Sequence, residues 1–216
     1  TGAPAQAAAT LGDQIAVVGA PYRFESDPGV GDVVGLQLFQ GARRVGHFPT
    51  LGMAEGVAVA DGRALVGAGT TGALLYDVTV PSAPRLVGRD ADAAYAGQAA
   101  ASGSLAWLAD GSRARVYALA GADAPRRLAD VDAGAPIRSL ALGGGIGLLG
   151  LGAETRVYDV SDPQLPVELA RWPSGATDVR LDGDTALAAS GAHALWGLDL
   201  SEPSRPRERL RWSPSQ

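Results

Sequence analysis

The 216-residue sequence predicts an all-β fold, a five-bladed β-propeller with about four antiparallel strands in each blade and a repeat near 41 residues. Three observations predict it. A tyrosine-centred segment recurs at constant spacing, short runs of small aliphatic residues alternate with two-residue turns, and no span carries the 3.6-residue apolar period of a long helix.

The repeat is clearest from its second copy onward. Leu74-Leu75-Tyr76-Asp77-Val78-Thr79-Val80-Pro81-Ser82-Ala83-Pro84 returns as Arg115-Val116-Tyr117-Ala118-Leu119, which runs on to Asp123-Ala124-Pro125. It returns again as Arg156-Val157-Tyr158-Asp159-Val160-Ser161-Asp162-Pro163-Gln164-Leu165-Pro166. Tyr76, Tyr117 and Tyr158 are each 41 residues apart, and Asp199, in Gly197-Leu198-Asp199-Leu200-Ser201-Glu202-Pro203, follows Asp159 by 40. A weaker copy, Leu36 to Gly46, lacks the proline-rich turn. Five units result, with blades over 6–48, 55–89, 96–130, 137–171 and 176–212 of a single domain.

The second unit shows the order of elements. Gly56 to Ala60 is the first strand, Asp61-Gly62 a hairpin turn, and Ala64 to Ala68 the second strand, because Asp-Gly accepts the positive φ of a two-residue turn. Gly69 to Gly72 turns the chain into a third strand, Ala73 to Val78. Pro81 and Pro84 then shape the turn into the fourth, Arg85 to Arg89, lying outside the ladder where a missing N–H costs nothing. Ser102-Gly103, Gly143-Gly144 and Asp182-Gly183 stand at equivalent hairpins. The first strands are built largely of Ala and Gly, which lets crowded inner strands approach.

Composition narrows the function classes. Net charge is −5 with a pI near 5.0, which argues against a nucleic-acid partner, since phosphate binding needs clustered cations. Cys is absent, which excludes disulfides, thiolate metal sites and Cys nucleophiles. All 18 basic residues are Arg and Asn is absent, the pattern of a GC-rich coding bias that also removes N-glycosylation sites. The uncharged run Ser139 to Ala153 is 15 residues with six Gly, too short and too flexible to cross a bilayer, so no membrane span is expected. The chain does not begin with Met and opens on an Ala-rich stretch, which fits removal of a signal or an upstream region.

Catalytic patterns are weak. The two histidines, His47 and His193, fall in different blades, with no His-x-His or His-Glu-x-x-His spacing to hold a metal. Gly143 to Gly147 is glycine-rich but leads into a strand, so it lacks the helix N-terminus that binds phosphate. No Gly-x-Ser-x-Gly elbow occurs. No catalytic residue, metal or cofactor is assigned. A glycosidase needs only two facing carboxylates, and Asp and Glu are frequent in the loops, so hydrolysis ranks below binding.

Tyr158 to Glu168 and Leu198 to Glu208 resemble the LVIVD-repeat family, whose repeat has an apolar strand ending in Asp-Val-Ser-Asp-Pro, then two further residues and a second Pro. Tyr76 to Pro84 matches with Thr79 and Val80 in place of Ser and Asp, the third copy has drifted at Ala118 and Ala120, and the first barely matches. The resemblance implies a surface-associated bacterial or archaeal propeller and an extracellular, cell-surface or periplasmic location. It implies no reaction. Physically, Asp77, Asp159 and Asp199 suit Asx turns, and Asp159 with Ser161 and Asp162 offers too few oxygens for Ca²⁺.

Binding residues are sought where the repeat is interrupted, at the end expected to collect the second-to-third-strand turns and the blade crossovers. Pro21 to Asp32 is the one sizeable insertion, and Tyr22, Arg23, Phe24, Glu25 and Asp27 combine aromatic and charged groups as recognition surfaces do; a plain solvated hairpin is the alternative. Tyr95, Trp172 and His193, with Asp132 and Arg138, are expected at the same end. Trp172 serves either as a cap between blades or as a ligand platform, and Asp178 with Arg180 either lines a channel or forms a buried pair.

The sequence is therefore read as a non-catalytic exported recognition or assembly module for a protein or cell-surface glycan partner, with a polysaccharide-active hydrolase or lectin as the alternative. Because the units begin with an inner strand at Gln6 and end with an outer strand at Trp212, the first and last blades are expected to meet by side-chain packing alone, leaving a seam where a partner chain would dock.

Overall fold

A computed structural model describes residues 5–11, 14–19, 35–50, 52–121, 124–190 and 195–213. Among these residues every helix or strand assigned is a strand, and the strands form five four-stranded sheets, each from one contiguous stretch of chain. The first sheet holds β1 (Ala5–Leu11), β2 (Gln14–Gly19), β3 (Gly35–Gln40) and β4 (Arg43–Phe48). The second holds β5 (Gly56–Ala60), β6 (Arg63–Gly67), β7 (Ala73–Asp77) and β8 (Arg85–Asp90). The third is β9 (Ala96–Ser102), β10 (Leu105–Asp110), β11 (Arg113–Ala118) and β12 (Arg126–Asp132). The fourth is β13 (Ser139–Gly143), β14 (Ile146–Gly150), β15 (Thr155–Asp159) and β16 (Val167–Trp172). The fifth is β17 (Asp178–Asp182), β18 (Thr185–Ala189), β19 (Leu195–Asp199) and β20 (Arg207–Trp212).

These bounds agree with the sequence reading to within a residue or so. In the second sheet β6 starts and stops one residue early, β7 ends at Asp77 and β8 runs on to Asp90. Asp61 and Gly62 both take positive φ, 49° and 69°, the geometry a twisted two-residue hairpin requires. One recurring feature is absent from the sequence reading. The pairing of third and fourth strands shifts register between Leu38 and Phe39, Leu75 and Tyr76, Val157 and Tyr158, and Gly197 and Leu198. An extra residue at the same place in four sheets bends the outer strand and raises its twist.

The Asx turns form as expected. Asp77, Asp159 and Asp199 each accept the N–H two residues on, at 3.0, 2.8 and 2.9 Å. All three carboxyls are held below the usual range. At Asp77 the cause is the Thr79 hydroxyl, then its N–H and Arg63, at Asp159 the Ser161 hydroxyl and N–H, and at Asp199 the Ser201 N–H and then Arg209, which bring Asp199 to about 2. A depressed folded value means stabilisation present above the unfolded pKa, about 4, and lost as pH falls through the folded one. The wild type is therefore expected to lose stability from about pH 5 down to about pH 2 relative to the variant Asp77→Asn/Asp159→Asn/Asp199→Asn, whose amides still accept the N–H but do not titrate. Urea midpoints across that range measure it, and a pH-independent difference excludes it.

The chain divides into two compact units, residues 1–110 with 117–126 and residues 111–116 with 127–216, and the boundary passes through the third sheet. In the first unit, Ala16, Leu36 and Leu38 of the first sheet are buried with Val57, Ala64, Val66, Leu74 and Tyr76 of the second. The other face of the second sheet buries Leu65 and Leu75 with Ala96, Leu108 and Tyr117. The Tyr117 hydroxyl is satisfied by Asp90 Oδ2 at 2.8 Å. In the second unit, Ala141, Leu148 and Val157 of the fourth sheet pack with Val179, Ala186, Ala188, Trp196 and Leu198 of the fifth. The Ser139 hydroxyl donates to the Ala176 carbonyl at 3.0 Å, tying the two sheets at their inner strands. Tyr76, Tyr117 and Tyr158 are all buried, the packing role their spacing suggested.

Candidate functional site

The best-defined cluster of exposed recognition-type side chains that the described residues show lies in the first unit, where three loops converge. Gly69 to Gly72 turns the chain between β6 and β7, with Gly69 and Gly72 at φ 56° and 95°. Gly69 then exchanges both backbone hydrogen bonds with Ala96, at 2.8 and 2.9 Å, so the turn of the second sheet is laced to the crossover that leads into the third. The third loop, the approach to β5, is pinned by the Glu55 N–H donating to the Gly67 carbonyl at 2.8 Å. This places the β6–β7 turn and the crossover from the second sheet to the third at one end of the second sheet.

Tyr95 is the centre of the cluster. Its backbone N–H donates to Asp110 Oδ1 at 2.7 Å, which fixes the crossover, while the side chain remains 47% exposed. Its hydroxyl donates to Glu55 Oε1 across 40 residues of sequence. That bond to a carboxylate, and then the carboxylate's charge, raise the Tyr95 pKa. The ring is thereby held in place on the surface rather than free to rotate into the core. Arg89 donates from Nε to the Thr71 carbonyl at 2.7 Å, and Met53 is exposed on the same approach as Glu55. A fixed aromatic held on a carboxylate offers stacking and ionic contact together. Glu55, Met53 and Arg89 escaped the sequence reading, although Glu55 and Tyr95 lie one repeat apart, the signal that equivalent crossovers meet.

The remaining candidates fall elsewhere. Trp172 is half-buried against the core of the fourth and fifth sheets, its ring 6.3 Å from that of Trp196 at 40°, which is the cap arrangement rather than a platform. Asp132 caps the next crossover by accepting the Gly134 N–H at 2.8 Å, and the Arg138 N–H donates to the Gly150 carbonyl at 2.9 Å. Asp178 and Arg180 do pair, at 2.5 Å, but both side chains are exposed, so the buried-pair alternative is corrected: the strand turns these residues to the solvent face while Val179 between them is buried. Tyr22, Arg23, Phe24, Glu25, Asp27 and His193 lie outside the described residues. Among the described residues no group of three or more His, Asp or Glu is placed to hold a metal, and no helix is long and apolar enough to cross a membrane.

No family model matches the chain, and no curated protein matches it. Solved structures do. The Chaetomium thermophilum Sqt1 bound to the N-terminus of the ribosomal protein L10 is 14% identical, with a TM-score of 0.70 over 94% of this chain. The computationally designed Ika8 protein is 10% identical, with a TM-score of 0.65 over 94% of this chain and 73% of its own. The Nidogen/Laminin complex includes a chain 11% identical, with a TM-score of 0.66 over 97% of this chain and 80% of its own. This chain spans only 59% of the Sqt1 chain. At these identities the likeness shows the fold alone, an all-β, β-propeller-like architecture.

Proposed function

We propose that the chain is a non-catalytic recognition or assembly module of the five-bladed propeller type, binding a protein partner through the loop end that carries Tyr95 and Glu55. The observation that carries this reading is the exposed Tyr95 ring, anchored on Glu55. Such anchors lose little conformational freedom on binding, because their rotamers are already set. Two of the similar structures support it by analogy of fold, one being bound to a ribosomal-protein N-terminus and one belonging to a complex with laminin. An extracellular, cell-surface or periplasmic location rests on the LVIVD resemblance of the Tyr158 and Leu198 segments.

The test is retention of host-envelope protein and glycan fractions on the immobilised chain, compared between wild type and Tyr95→Ala. A protein partner is expected, with affinity reduced tenfold or more in the variant, equivalent to about 1.4 kcal/mol. Because the ring is exposed, the melting temperature should hold within a degree or two. Unchanged affinity in Tyr95→Ala, or retention of glycan in place of protein, would overturn the proposal, the latter in favour of a lectin.

A further inference from the structure

Glutamates on this chain are ordinarily answered by arginine, and one of them is not. Of the five among the described residues, Glu154 and Glu168 face a guanidinium at 2.7 and 2.6 Å, Glu202 at 3.4 Å and Glu208 at 2.5 Å. Glu55 is the fifth. Its carboxylate accepts the hydroxyl of Tyr95, a neutral donor, and among the described residues no arginine pairs with it. The charge of Glu55 is therefore held in place without being neutralised.

The surroundings leave that carboxylate uncovered. A Cβ on Gly97 would lie 3.8 Å from Glu55 Oε2 and one on Gly69 4.0 Å from Oε1, so two residues flanking the carboxylate have no side chain to lay over it. Tyr95 is fixed at two points, its N–H on Asp110 Oδ1 and its hydroxyl on Glu55, yet it remains 47% exposed. The crossover that carries it adds the carboxylates of Asp90 and Asp92, and the cation that precedes them in sequence, Arg89, donates to the Thr71 carbonyl. Negative potential and a fixed aromatic surface thus coincide at one end of the second sheet. All of these groups belong to the first compact unit.

A guanidinium suits this pair better than the other charged side chains do. It is planar, so it can stack on the Tyr95 ring, and its fork of N–H groups can reach Glu55 Oε2 together with the lone pair of Oε1 that the tyrosine hydroxyl leaves over. An ammonium is a compact, strongly hydrated point charge, which makes the ionic contact without matching the plane of the ring or the fork of the carboxylate. A carboxylate or phosphate would meet repulsion from Glu55, Asp90 and Asp92 together.

Given the protein-binding function proposed above, on which this step rests, we infer that the Tyr95–Glu55 site receives an arginine side chain of the partner, its guanidinium stacked on Tyr95 and paired with Glu55. Blocked single amino acids are the probes that test it. N-acetyl-arginine amide is titrated into the full chain carrying isotope-labelled tyrosine, beside N-acetyl-lysine amide and N-acetyl-citrulline amide, the last having the shape of arginine without its charge. The Tyr95 ring signal, identified among the five tyrosines by its loss in Tyr95→Ala, is expected to shift with arginine, with an affinity several-fold lower for lysine and about tenfold lower for citrulline. Glu55→Gln keeps an acceptor for the Tyr95 hydroxyl but removes the charge, and it should weaken the arginine probe about tenfold while the chain still melts as the wild type does. Lysine or citrulline binding as tightly as arginine, a Tyr95 signal that moves with none of the probes, or wild-type affinity in Glu55→Gln would overturn the inference. Retention of envelope protein separates this result from the fate of the module. Loss of a protein partner in Tyr95→Ala without any preference for the arginine probe would leave the module standing and overturn the arginine assignment, whereas arginine preference with no protein retained would overturn the module and leave the ligand class of the site standing.

Discussion

Trp196→Ala is expected to destabilise the chain by about 3–5 kcal/mol, the range for deleting a fully buried large aromatic. Trp196 is 1% exposed and sits in the core that the fourth and fifth sheets share with Ala141, Val157, Val179 and Ala188. Four of the buried residues it shares this core with, Ala141, Ala176, Ala186 and Ala188, are alanines too short to close over the void, which limits what relaxation recovers. The expected contrast is with Trp172→Ala, which removes a half-buried ring from the edge of the same core and should cost about 1–2 kcal/mol. Trp196→Phe supplies the decisive control. The Trp196 indole N–H is buried with no hydrogen-bond partner among the described residues, so phenylalanine keeps most of the packing while removing an unsatisfied donor, and its cost should stay below about 1.5 kcal/mol. Urea midpoints of the three variants rank these effects, and a Trp172→Ala cost equal to that of Trp196→Ala would show the core centred elsewhere.

The second large effect is expected at Gly67. A Cβ on this residue would press into the Gly97 carbonyl oxygen and approach the Ala96 carbonyl oxygen at 3.0 Å, both of them backbone atoms of β9 that cannot turn aside. Gly56, paired with Gly67 across β5 and β6, has the same constraint, its Cβ falling 2.7 Å from Gln98 Cα. The first two strands of the second sheet approach β9 so closely only because these positions carry no side chain. Gly67→Val favours a strand by intrinsic preference yet is expected to cost about 3 kcal/mol, since overpacking must move one sheet away from the other. Gly97→Ala isolates the cause. Its Cβ would meet Ala109 O at 3.7 Å and Glu55 Oε2 at 3.8 Å, ordinary contact distances, so a cost within about 0.5 kcal/mol is expected. Equal melting temperatures for Gly67→Val and the wild type would remove close approach as the reason for these glycines.

What the sequence determined by itself is what short-range chemistry decides. The Asp61-Gly62 hairpin, the Asx turns at Asp77, Asp159 and Asp199, and the small residues of β5 and β9 depend on contacts within a few residues of chain or on the room one side chain needs. The 41-residue spacing of the tyrosines carried those local units into a count of sheets, and the sheets followed it. The register shift beside each aromatic was not legible, because an unpaired residue in an outer strand costs a single ladder bond and leaves no change in composition.

The candidate site divides along the same line. Tyr95 was legible as an aromatic in a crossover, whereas its bond to Glu55 was decided by the Gly69–Ala96 bridge, which brings together loops 40 residues apart. Trp172 and Trp196 are alike in the sequence, and only the packing of the fourth sheet on the fifth makes one a cap and the other a core residue. Burial is a property of what lies opposite, and in a stack of sheets that is supplied by the next sheet and not by the residue's own neighbours in the chain.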